Sequence, residues 1–270
     1  MPRGGRPVRA SEWLSVGYFA VMSAAAWARP LPMRRRIEIC AVGIPACALV
    51  FAVAHAGSSL LRDWAPPLAI LAAYYVSGRF FVHPSVPFES WLMAGDRRWL
   101  GDPATRFARW PRPLLAYLEV VYMGCFLLVP AGFLLLAMTG RAAMADRYWT
   151  MVLAAEYGAF APLALVPTRP PWALEKKPEL AGRAVHQAAE QMVRQFTIQA
   201  NTFPSGHVAG SLAVAFAVIG AMPWAGAVLL GLAVSISLAC IVGRYHYVVD
   251  VIAGAALALV IWIGVLAAGL

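Results

Sequence analysis

The run WAGAVLLGLAVSISLACIVG, residues 224–243, is followed by Arg244-Tyr245-His246 and then by YVVDVIAGAALALVIWIGVLAAGL, residues 247–270. A helix that crosses the hydrocarbon core of a bilayer needs about 20 mostly apolar residues. Both runs meet that length, so this end of the chain reads as one span, a tight turn and a returning span. Working outward, similar apolar runs lie at 37–57, 65–81, 114–139, 147–167 and 205–221, with a weaker one at 12–28. Prolines sit at their ends, as in Ala65-Pro66-Pro67 and Met222-Pro223. The expected fold class is all-α, a polytopic membrane helix bundle of six to eight transmembrane helices, forming one domain over residues 1–270.

Composition agrees. Hydrophobic residues make up 61% of the 270 and charged residues 13%, against about 45–50% and about 25% in a soluble domain. The formal net charge is +9, carried mostly by arginines between apolar runs. Arginines at span ends meet anionic headgroups, and this reading displaces a nucleic-acid partner. Cys40, Cys47, Cys125 and Cys240 fall inside apolar runs without a CxxC pattern, as small buried hydrophobes; neither a disulfide framework nor a zinc site is indicated. The 12–28 run follows Arg3, Arg6 and Arg9 and ends in small residues, the outline of a signal peptide. Its shortage of leucine and the Arg29 that follows favour a retained span or an interfacial helix. Residues 82–113, with Trp91, Trp99 and Trp110 among arginines, and the partly amphipathic 172–200 read as interfacial.

Two short motifs open apolar helices. Phe203-Pro204-Ser205-Gly206-His207 precedes one, and Gly243-Arg244-Tyr245-His246-Tyr247-Val248-Val249-Asp250 precedes another about 40 residues later. One outgoing and one returning span separate them, so both face the same side. Helix N-termini favour an anion, and Ser205 and Gly206 can add a hydroxyl and unobstructed N–H groups. His246 and Asp250, at i and i+4, share a helix face. The carboxylate can orient one imidazole nitrogen and leave the other free to attack, with His207 as acid and then base. Pro167-Thr168-Arg169-Pro170-Pro171 ends the preceding span on that side. Arg169 and Arg244 offer planar forks for phosphate oxygens. Glu156 falls inside an apolar run, where an ionisable group is costly and often functional; a neutral carboxyl bonded to a neighbouring helix is the alternative, and both readings stand.

These motifs resemble those of the type 2 phosphatidic acid phosphatase superfamily, over roughly residues 95–260. Its pattern is Lys-(x)6-Arg-Pro, Pro-Ser-Gly-His and Ser-Arg-(x)5-His-(x)3-Asp. The second stands intact at 204–207, the His-(x)3-Asp half of the third at 246–250, and Arg169-Pro170 ends the first. The first-motif lysine would fall at Pro162 and the third-motif Ser-Arg at Ala239-Cys240, with Arg244 placed to supply the missing guanidinium. Pro-Thr-Arg-Pro-Pro, the short Arg-Tyr-His-Tyr form and the aromatic segment Tyr117–Phe126 are similar to the inositolphosphorylceramide synthase branch. The resemblance implies a phosphohistidine at His246 and no metal or cofactor. It implies a membrane lipid phosphate as substrate, with water or an alcohol as acceptor, and a bacterial cytoplasmic membrane is the expected location. A lipid phosphatase is the first reading, a lipid phosphotransferase the second and a non-catalytic scaffold the third. Most lysines and arginines fall on the active side, which the positive-inside rule assigns to the cytoplasm; many relatives act on the opposite face, and the two arguments conflict.

Overall fold

The segment GHVAGSLAVAFAVI, residues 206–219, carries small side chains on most of its surface, which lets neighbouring backbones approach closely. The computed structural model describes residues 7–174, 191, 195 and 197–269 and places this segment as a helix at the centre of the bundle. In chain order the α-helices are α1 (Ala10–Ala28), α2 (Met33–His55), α3 (Ser59–Trp64), α4 (Pro66–Gly78), α5 (Val86–Leu100), α6 (Pro103–Ala108), α7 (Arg112–Met138), α8 (Ala145–Phe160), α9 (Gly206–Ile219), α10 (Pro223–Val242) and α11 (Val248–Ala267). The central α9 packs against α7, α8, α10 and α11, while α1 lies along α2 and α8. Where α11 crosses the start of α9, a Cβ on Gly254 would come within 2.7 Å of the Ser205 carbonyl oxygen. The two backbones are therefore in contact at the motif itself.

The distribution of polarity is that of a membrane protein. Leu127, Met138, Trp224 and Val260 face outward, while Glu12, Arg62, Glu89, Asp96, Arg244 and Asp250 are buried. Lipid tails do not penalise exposed apolar side chains, but charges in such a chain need partners inside. Helices α2, α7, α10 and α11 are long and apolar enough to cross a membrane. The runs expected to span at 65–81, 147–167 and 205–221 are shorter as helices. Pro66 opens α4, a 3-10 turn at Ala161–Ala164 follows α8, and α9 ends at Ile219, ahead of the turn that leads to Pro223. The weak run at 12–28 lies within α1. The 82–113 stretch folds into α5, α6 and the start of α7, and most of 172–200 lies outside the described residues.

Ion pairs close the end of the bundle remote from the two motifs. Arg62 of α3 grips Glu12 of α1 with Nε to Oε1 and Nη2 to Oε2, both at 2.7 Å. Arg9 Nη1 donates to Asp63 at 2.6 Å, and Asp146 accepts from the Ser11 N–H and hydroxyl at 3.0 and 2.6 Å. These contacts tie α1, α3 and α8 together.

Candidate active site

Ser205 caps α9, its Oγ accepting from the Val208 N–H at 3.4 Å. Its own N–H donates to the Asp250 carbonyl oxygen at 3.0 Å, which joins the first turns of α9 and α11. Asp250 lies in the first turn of α11, where Oδ2 accepts the Tyr247 N–H at 3.0 Å in a capping arrangement. That same Oδ2 is 3.3 Å from His246 Nδ1, and His246 Nε2 is 3.4 Å from His207 Nδ1. Asp250, His246 and His207 thus form one line across the α9–α11 contact.

Burial pushes the His246 imidazole down to about 3, so it is neutral at physiological pH. With Nδ1 donating to Asp250, its lone pair lies on Nε2, and His207 Nδ1 faces that lone pair as the donor. The His207 ring is held by α7, stacked on Tyr122 at a centroid distance of 5.1 Å and edge-on to Phe126 at 5.4 Å. Tyr122 in turn stacks on Tyr245 at 3.7 Å. Among the described residues, His207 Nε2 and Asp250 Oδ1 are buried without a hydrogen-bond partner.

The three loops are stitched by backbone contacts. Asn201 pairs with Thr168 through N–H to carbonyl at 2.8 Å and Nδ2 to Oγ1 at 3.1 Å. The Trp172 N–H donates to the Arg244 carbonyl oxygen at 3.1 Å, and the Tyr247 hydroxyl donates to that of Arg169 at 3.1 Å.

Both arginines are met by carboxylates of α5. Arg169, its side chain 41% exposed, makes a fork on Glu89, Nε to Oε1 at 3.0 Å and Nη2 to Oε2 at 2.8 Å. Burial opposes the charge on Glu89, but the guanidinium and the Arg169 N–H outweigh it and hold the carboxyl below its usual range. The sequence reading aimed Arg244 at a phosphate; here its side chain is 1% exposed and Nη1 donates to Asp96 at 2.6 Å. The reason is local. Arg244 has φ +58° and occupies the left-handed position just past α10, with the Tyr245 N–H reaching back to the Cys240 carbonyl at 2.9 Å. Glycine is usual there. Asp96 also accepts the Val248 N–H at 2.8 Å, so it pins both ends of the His246 loop.

Ser205 and Gly206 are equally engaged: the Ser205 hydroxyl serves the cap, and the Gly206 N–H donates to Thr202 Oγ1 at 3.3 Å. The sequence reading missed Glu89 and Asp96 as partners. Their spacing of seven on a helix, two turns apart on one face, was the available signal. Among the described residues no cluster of His, Cys, Asp and Glu is arranged to hold a metal ion.

A cavity of about 350 Å³ opens beside the histidines, walled by Tyr74 of α4, Tyr122 and Phe126 of α7, and Glu156 and Phe160 of α8. Its mostly apolar wall and its size suit one lipid chain next to a reactive head. No curated protein and no solved structure matches the chain. A family model described as PAP2 superfamily matches residues 90–264, a span that holds most of α5 with Asp96, the three stitched loops and the histidine line, and so this membrane-embedded chain belongs to the PAP2 superfamily, a family of phosphatase-type enzymes.

Proposed function

We propose that this protein is a membrane lipid phosphatase that cleaves a lipid phosphomonoester through a phosphohistidine at His246. The observation that carries the reading is the Asp250–His246–His207 line at the wall of an apolar cavity. Asp250 holds Nδ1–H, and His246 Nε2 attacks phosphorus as the bond from phosphorus to the lipid oxygen breaks. With the anionic phosphate beside it His207 is held as the imidazolium; it gives its Nδ1 proton to the departing alkoxide and is left neutral, then takes a proton from water, whose oxygen attacks phosphorus and breaks the P–N bond. The entering phosphoryl group takes the place that the His207 nitrogen holds in front of Nε2, so the His207 ring moves aside along Tyr122 when substrate binds. Arg169, half-exposed beside the loops, and the first turns of α9 and α11 stabilise charge on the transferring group. Arg244, paired with Asp96, braces the His246 loop from behind.

The second reading is a lipid phosphotransferase, in which an alcohol replaces water. The short Arg-Tyr-His-Tyr form favours it, as does the aromatic segment Tyr117–Phe126, whose Tyr122 and Phe126 pack on His207. Purified protein given labelled lipid phosphates, with and without candidate alcohols, separates the two: free phosphate marks the phosphatase and a new lipid product the transferase. Wild type should carry an acid-labile, base-stable phosphate adduct that His246→Ala lacks. An adduct persisting in His246→Ala refutes the assignment.

A further inference from the structure

Glu156 takes no part in the chemistry just described, and its surroundings do not explain it as a structural residue. It lies one turn before the end of α8 and is 8% exposed. Its carboxyl fits a notch on α9 made by two glycines. A Cβ on Gly210 would collide with Oε1, and one on Gly206 would lie 3.3 Å from Oε2. Among the described residues it has neither a hydrogen-bond partner nor a cation, although it forms part of the cavity wall with His207 and His246. A buried carboxyl without a partner is costly, and buried polar groups in native proteins are almost always satisfied. A leucine of similar volume would suit a purely structural position better.

A group that enters the cavity can satisfy the carboxyl. Two neighbouring hydroxyls in this wall are already engaged. Ser211 donates to the His207 carbonyl at 2.6 Å, and the Tyr74 hydroxyl accepts from the Ile198 N–H at 3.2 Å. Glu156 faces Gly206 and Gly210, which bracket His207 in the first turn of α9, and shares the cavity wall with it. A lipid whose phosphorus faces His246 and whose chain fills the apolar cavity brings only the first few atoms of its alcohol that close.

We propose that Glu156 recognises a hydroxyl or amide N–H carried by the lipid within a few bonds of its phosphoester. This deepens the lipid phosphatase reading and rests on it. The cavity then selects a lipid phosphate with a free hydrogen-bond donor next to the head, a monoacylglycerol phosphate or a sphingoid-type phosphate. A simple hydrocarbon phosphate, which leaves the carboxyl unpartnered, is disfavoured. Sites built to bond a hydroxyl reject analogues lacking it far more strongly than apolar pockets reject a missing methylene.

The test compares lysophosphatidate with its analogue lacking the glycerol hydroxyl, in mixed micelles. Wild type should prefer the hydroxylated lipid by about tenfold or more in kcat/KM, and Glu156→Leu should bring the ratio near one. Equal rates in wild type, or a preference surviving in Glu156→Leu, overturn the inference and leave the phosphatase reading intact. No turnover of either lipid and no phosphohistidine overturns both. Should Glu156→Leu not fold, infrared difference spectra decide. Adding the hydroxylated lipid should shift a carboxyl band in wild type that is absent in the isosteric Glu156→Gln. An unmoved band refutes the assignment.

Discussion

The two ends of the bundle each bury arginines against carboxylates, yet they are built to different standards of completion. At the end remote from the motifs, the Arg62 fork is matched to Glu12 at 2.7 Å on both arms, and Arg62 Nη2 also reaches the Pro7 carbonyl at 2.9 Å. Asp146 has both carboxylate oxygens occupied by the start of α1. At the motif end the arginines are paired just as well, but among the described residues buried atoms are left over at the site, His207 Nε2, Asp250 Oδ1 and Asn201 Oδ1, and the Glu156 carboxyl lies without a partner on the cavity wall that His207 shares. The end that only fastens helices satisfies most of these polar groups within the chain, Arg147 Nε in the first turn of α8 being left over among the described residues. An end that binds a ligand keeps some unsatisfied, and the stability forgone there marks the site.

This contrast fails first, if it fails, at Asp250. Asp250→Asn keeps the size of the side chain, but one oxygen can no longer both accept the Tyr247 N–H and hold His246 Nδ1–H as a carboxylate does. Turnover should fall by about 10³–10⁴ with the protein still folded, the scale for losing the group that orients a histidine. A loss under tenfold would remove Asp250 from the chemistry. At the other end the expected loss is in stability. Glu12→Ala strands the Arg62 charge in the interior, a change of about 3–5 kcal/mol. The melting temperature in detergent should drop clearly while the rate per folded molecule holds. A fall in that rate would mean that the two ends are not independent.

The smallest effect sharpens the comparison most. Arg244→Lys and Arg62→Lys make the same chemical change at the two ends, replacing a planar fork by a single ammonium. Arg244→Lys should slow turnover by about tenfold, about 1.4 kcal/mol, because the Asp96 contact that holds the His246 loop is weakened. Arg62→Lys should leave turnover unchanged. Equal rates in both variants would show that the Arg244–Asp96 contact does not hold the His246 loop for turnover.

Much of this was legible in the sequence. Apolar runs of spanning length require helices, because a backbone in lipid must satisfy its own hydrogen bonds; the all-α membrane class follows from composition and run length alone. The position of His246 four residues before Asp250 keeps the pair within short reach, although His246 lies in the loop before α11 and meets Asp250 across the cap of the helix rather than along a helical face. The placement of Pro-Ser-Gly-His one outgoing and one returning span earlier puts His207 on the same side. What the tertiary structure decided is which side chains meet across helices. No local rule pairs Glu89 with Arg169 across 80 residues or Asp96 with Arg244 across 148. The sequence placed Glu156 within a span, with nothing to say what it faced; only the packing of α8 on the Gly206–Gly210 face of α9 turned it toward the cavity. Contacts along a helix are set by its period, whereas contacts between helices are set by which small residues let two backbones close together, and that depends on the whole bundle.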